Sequence, residues 1–217
     1  MHKLRILVMF VIIIGIYGCK KNPEIMIIIP EKPPINSLAD EFMIGKYPKL
    51  SVDKSGRKFS KGKEIQINDI NWTYQGKRLP VIILADKQSA LKYIKPILMK
   101  LKKQGCEYVL LGVQTTDGIN YLHQHLNPKP AKSNVVNIYI KGNEYLVDSK
   151  RMNLKQIKST FQYRNSLFIP FICILDNDSS YESFIDLIYL INVELRSSVE
   201  ISETPKPSSN PSNPQTP

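Results

Sequence analysis

Asp86 and Asp176 are the residues that most invite a catalytic reading, because each ends an apolar run and precedes an amphipathic stretch. A carboxylate so placed can work as a general acid or base only with a second titratable group in reach. No His, Lys or second acid recurs beside both positions, so they read as turn-capping carboxylates favoured by the positive end of a helix dipole. Asp176-Asn-Asp178 has the opening of a calcium loop but lacks its glycine and its late glutamate. His123-Gln-His125 would set two imidazoles on one side of a strand, yet no third ligand stands near, and the pair reads as exposed linker. Neither a glycine-rich phosphate loop nor a nucleophile elbow occurs. The expectation is a protein that is not an enzyme and holds no cofactor or metal.

Three cysteines remain. Cys173 falls inside the apolar run 171–175, and Cys106 opens the run leading to Val109 and Leu111. They occupy non-equivalent places, and thiols of this kind are often simply buried. Two buried thiols are expected rather than a disulfide. Cys19 is different. Lys3 and Arg5 precede an apolar run at 6–16 and then Ile16-Tyr-Gly-Cys19. The run is shorter than the roughly 20 residues a spanning helix needs. The segment resembles a bacterial lipoprotein signal peptide over residues 1–18, and the resemblance implies lipidation of Cys19. That would attach the chain to a membrane and face it into the periplasm, with inner and outer membrane both open. The other reading is an uncleaved signal-anchor.

The elements that would position any site come twice. Leu79-Pro-Val-Ile-Ile-Leu-Ala-Asp86 is answered 90 residues later by Ile169-Pro-Phe-Ile-Cys-Ile-Leu-Asp176. Leu91, Ile94, Ile97, Leu98 and Leu101 then map onto Tyr181, Phe184, Leu187, Ile188 and Ile191 without a gap. What recurs is an order of physical roles: buried strand, aspartate turn, amphipathic helix, short strand. A long period found twice argues for two tandem units, not a solenoid.

Upstream, a hairpin turning at Ser55-Gly56 has its counterpart in a turn at Lys141-Gly142-Asn143. Gly56 and Gly142 are therefore candidate turn residues. A short helix should follow in each unit, near 65–72 and near 154–161. The helices after Asp86 and Asp176 should be capped at Ser89 and Ser179, and Gly105 suits the end of the first. Pro96 should kink that helix or delay its start. The expected class is α+β, with two tandem domains of one sheet and two helices each, at 46–113 and 134–202. A tether at 19–45 precedes them, a linker at 114–133 joins them, and a Ser/Pro/Asn/Thr-rich tail at 203–217 reads as disordered. The apolar patch 25–29 within the tether could be a strand or a docking segment.

The run Leu79 to Lys87, the helix after it, and Lys103-Gln-Gly-Cys-Glu-Tyr-Val-Leu-Leu111 resemble the periplasmic domain of the ExbD/TolR family. Gly142 with Tyr145-Leu-Val-Asp148, and the helix that follows, carry the same resemblance in the second unit. It covers 47–113 and 135–202, and it implies that the two copies pair as a pseudo-dimer. Family members carry a membrane aspartate that serves proton-driven energy transduction, and residues 6–16 contain no ionisable group. The chain thus looks like the family's envelope domain, duplicated and attached to lipid. The resemblance implies biopolymer or protein transport, with proton-channel components, a TonB/TolA-like protein or peptidoglycan as partners.

Charge narrows the partners further. Residues 46–113 hold 15 Lys+Arg and 5 Asp+Glu, net +10, while residues 132–203 hold 8 and 9, net −1. A basic envelope domain suits anionic headgroups, acidic proteins or wall glycans, and nucleic acid is not expected. The functional expectation is a binding or coupling partner in envelope energy transduction or transport. The alternatives are a structural scaffold lipoprotein and a small-ligand-binding envelope protein.

Overall fold

The computed structural model describes residues 27–33, 45–69, 73–74, 77–126, 135–162 and 170–203. The signal segment, Cys19, most of the tether and nearly all of the tail lie outside the described residues.

The chain is α+β, with two mixed sheets and three α-helices among the described residues. The first unit opens with β1 (Lys49–Val52), β2 (Lys58–Ser60) and β3 (Lys63–Glu64), an antiparallel meander. A short hairpin of β4 (Thr73–Tyr74) and β5 (Lys77–Arg78) follows. Then come β6 (Val81–Ala85), α1 (Leu91–Lys103), β7 (Tyr108–Thr115) and β8 (Gly118–His125). The second unit runs β9 (Val136–Lys141), β10 (Glu144–Val147), β11 (Lys150–Met152), α2 (Leu154–Phe161), β12 (Phe171–Leu175), α3 (Tyr181–Tyr189) and β13 (Val199–Ser202). The sheet orders are β3-β2-β1-β6-β7-β8 and β11-β10-β9-β12-β13.

The repeat is visible in the register. Val81 faces Val109 in the parallel pair β6–β7, and Phe171 faces Val199 in β12–β13, so the offset of 90 is kept in both partners. β6 and β12 are buried on both faces, as continuous apolar runs in parallel sheets require. The helical stripe is equally faithful: Leu91, Ile94, Ile97, Leu98 and Leu101, and their five counterparts on α3 and the π-turn that extends it, are fully buried. α1 closes in a Schellman motif, with Gly105 at φ +75°, Gly105 N donating to Lys102 O and Cys106 N to Leu101 O.

Four expectations are corrected. The helix near 65–72 is only a single 3-10 turn, Ile67–Asp69, and 70–72 lie outside the described residues. Asp69 takes Gln66 N onto its carboxylate and gives its own N–H to Gln66 O, which closes this single turn. Among the described residues the first unit has one α-helix. The second has its helix at α2, with a capping box between Asn153 and Gln156. The helix caps sit one residue later than Ser89 and Ser179, at Ala90, which makes no side-chain bond, and at Ser180, whose hydroxyl accepts Ser183 N. Of the two outcomes expected of Pro96, a kink or a late start, the late start is not seen, since α1 begins at Leu91. The proline ring is exposed, so the one N–H it removes leaves an acceptor near water. Finally, much of the expected linker is structured, because Gly118–His125 pairs antiparallel with β7 along its whole length.

Part of the expected tether docks as well. Glu31 bridges Gln114 in parallel, Gln114 N donates to Pro30 O, and Lys32 N donates to Gln114 O. No helix among the described residues is long and apolar enough to cross a membrane.

Candidate functional site: a two-fold seam and a lysine face

The loops that follow the two equivalent strands meet each other. Ala90 and Ser180 form an antiparallel bridge. Leu91 N donates to Ser179 O and Tyr181 N to Ser89 O, both at 2.8 Å. Lys92 N donates to Asn177 O at 2.9 Å, and Glu182 N to Lys87 O at 3.1 Å. Each bond has its mate under the offset of 90, so the contact is isologous, as in a C2 dimer. It also accounts for the shifted caps. The first N–H groups of a helix lack intrahelical acceptors, and here α1 and α3 find theirs on the opposite unit.

Other contacts extend the seam. Gln124 is wholly buried, and its amide donates to Val199 O at 2.8 Å. Asn192 donates to His123 O at 2.9 Å. Lys102 donates to Ile201 O and pairs with Glu200, both at 3.1 Å. Gln124 and Lys102 thus cap carbonyls on the outer edge of β13, the edge an added strand would otherwise use.

Of the sequence candidates, Asp86 is buried and structural. Its carboxylate accepts Gln88 N at 2.9 Å and Ile28 N at 3.1 Å, which fixes the turn and the docked segment together. Asp176 is exposed and, among the described residues, accepts only the adjacent Asn177 N. The two aspartates are not brought together with a shared acid–base partner. Gly56 and Gly142 lie at their turns with φ +85° and +60°.

His123 and His125 lie on β8, half-buried and exposed respectively, and the ring of Tyr108 stacks on His123 at a centroid distance of 5.3 Å. Burial, and then the neighbouring His125 charge, lower the His123 pKa below its usual value. Among the described residues no group of three or more His, Cys, Asp or Glu could hold a metal ion. Cys106 and Cys173 are buried thiols and are not joined. Burial pushes the Cys173 thiol far up. Both thiols are expected to resist a maleimide in the native protein and to react at once after denaturation. Fast labelling of the native chain, read by mass spectrometry, would contradict this packing.

Asp53, which the sequence reading passed over, organises the first hairpin. Its carboxylate accepts Ser55 N, Ser55 Oγ and Arg57 N on one oxygen and Arg57 Nε at 2.7 Å on the other. Burial works to raise its pKa, but these hydrogen bonds and the Arg57 charge outweigh it and hold the carboxyl below its ordinary value. Asp53→Asn turns an amide N–H₂ toward Arg57 and should cost roughly 1.5–3 kcal/mol at neutral pH. A lowered folded-state pKa gives stability that is present above the unfolded value and lost as pH falls through the folded one. The gap between wild type and variant should therefore hold from neutral pH down to about pH 4 and close below it. Denaturant titration across that range checks the sign.

The outer face of α1 carries four of the first unit's 15 basic residues. Lys92, Lys95, Lys100 and Lys103 follow the helical period and line an open cleft of about 530 Å³, together with the buried Met99 and Glu203 from across the seam. Among the described residues Lys92, Lys95 and Lys103 form no ion pair, and Lys100 contacts the side-chain oxygen of Asn68. The Lys92 ammonium stands 5.4 Å from the Tyr93 ring centroid. A second cleft, of about 320 Å³, lies between residues 32–33, α2 and α3, where Lys32 pairs with Asp186 and Lys158 with Glu194. Two of that cleft's three lysines are paired, whereas among the described residues none of the four on the α1 face is.

Compared with family models, curated proteins and solved structures, the chain matches none.

Proposed function

We propose that this chain is a non-enzymatic, lipid-tethered module of a bacterial cell envelope, built from two ExbD/TolR-like units fused as a pseudo-dimer. It acts as a binding or coupling partner in envelope energy transduction or transport. The observation that carries the reading is the reciprocal seam at Ala90 and Ser180. A pair of units held by two-fold hydrogen bonds is what a tandem of self-pairing domains would produce. Among the described residues, the chemistry-bearing side chains are absorbed in turns and packing, and lysines without an ion pair line the outer face of α1. Such an arrangement suits recognition more than turnover.

Crosslinking with mass spectrometry on native membranes, with the lipidated full-length protein as bait, tests it. Recovery of proton-channel components or a TonB/TolA-like protein supports the coupling role. Recovery of peptidoglycan and outer-membrane material alone leaves a tethered scaffold instead.

A further inference from the structure

Resting on the tethered reading above, we propose that the lysine face of α1 is a docking surface for the anionic headgroups of the membrane to which the chain is attached. Three observations converge on it. The first is the charge itself: Lys92, Lys95 and Lys103 stand on one helical face without an ion pair among the described residues, and Lys100 beside them meets only an amide oxygen. The second is the residue type. All four cations are lysines, compact charges on flexible stems, where arginine would supply the fork that recognises one carboxylate or phosphate bidentately. Four such charges over Met99 suit a diffuse, fluid array of phosphates, with their methylene stems lying on apolar surface.

The third is placement. Residues 27–33 dock where β6 turns into α1, since Lys87 N donates to Ile28 O and Ile28 N to the Asp86 carboxylate. Seven residues lie between Cys19 and Ile27, so the connection spans at most about 29 Å when fully extended. The anchored end of the chain thus enters beside the start of the lysine helix. Ile28 and Ile119, the exposed large apolar side chains among the described residues, belong to the same end of the first sheet. Ile119 faces Gln114, which bonds Pro30 and Lys32. A wall glycan or an acidic protein would meet the charge complementarity but gives no reason for this juxtaposition.

The test uses the full-length lipidated protein with phosphatidylcholine vesicles and with vesicles containing phosphatidylglycerol. Lysines are footprinted with an amine-reactive acetylating reagent and read by mass spectrometry. Acetylation of Lys92, Lys95 and Lys103 should slow about fivefold on the anionic vesicles only, the scale expected for one lysine held at such a surface. About 0.5 M salt should restore it. Lys141 and Lys150 of the second unit, both exposed, should keep one rate throughout. Equal rates on both vesicle types overturn the proposal, and so does protection that appears only with added wall glycan or an acidic protein. Retention on phosphatidylcholine vesicles separately reports the anchor. Loss of that retention sinks the tethered reading, while the footprint on anionic vesicles still decides the face.

Discussion

Tyr181→Ala is expected to lower the stability of the whole chain by roughly 3–5 kcal/mol, whereas Tyr181→Phe should raise it by about 1 kcal/mol. Tyr181 is the first residue of α3, completely buried beside the seam, and its ring lies 6.1 Å from that of Phe184. Removing the ring opens a cavity where the two units meet. The hydroxyl is a different matter: it is buried, with no hydrogen-bond partner among the described residues. Burial accordingly drives its pKa far up. A polar group desolvated without a partner subtracts from stability, so deleting that one oxygen should help. Because the seam bonds α1 and α3 reciprocally, the loss should not be confined to the second unit. Hydrogen-exchange protection of β6 and of β12 should be lost together in urea for the alanine variant. Two separated transitions would mean that the units fold independently. A phenylalanine variant less stable than wild type would mean that the hydroxyl is satisfied in solution.

The sequence was readable where a local rule decides the outcome. β6 and β12 announce themselves because a strand covered on both faces has no polar position. The stripe from Leu91 to Leu101 follows the helical period, and all five of its residues are buried. Gly105 ends α1 because a left-handed residue there lets two carbonyls be satisfied. Two of the misreadings share another cause. Ser89 and Ser179 look like caps, but their carbonyls serve the opposite unit, and an acceptor 90 residues away leaves no local trace. β8 reads as linker because Asn120, His123, Gln124 and His125 are polar, yet Gln124 is buried against β13 by a long-range bond. The lysine face was half legible. The surplus of charge in the first repeat is plain from composition. That four of its lysines share one face of α1 beside the docked segment, while the lysines at 32, 102 and 158 are taken up in ion pairs, depends on the fold.

Gly56→Ala should cost roughly 2–5 kcal/mol, the sum of a left-handed backbone penalty and an overpacking penalty. Gly56 has φ +85°, and a Cβ built there would lie 2.4 Å from two ring carbons of Tyr93. The turn between β1 and β2 rests directly on the α1 side chain, with no room for a methyl group. Gly142 is the control supplied by the repeat itself. It occupies the matching turn at φ +60°, but a Cβ there meets nothing within 4 Å. Gly142→Ala should therefore carry only the backbone penalty, on the order of 1–2 kcal/mol. A double-mutant cycle with Tyr93→Ala separates the two contributions, because removing the ring should relieve the steric part and leave the conformational part. If the cycle shows no coupling, the turn does not rest on the ring. The consequence reaches the lysine face, since Lys92 stands over this same ring and Lys95, Lys100 and Lys103 extend along the helix it belongs to. A Gly56→Ala chain that remains folded must displace Tyr93. Its Lys92 acetylation rate should then change even without vesicles, while the rates of Lys141 and Lys150 stay as they were.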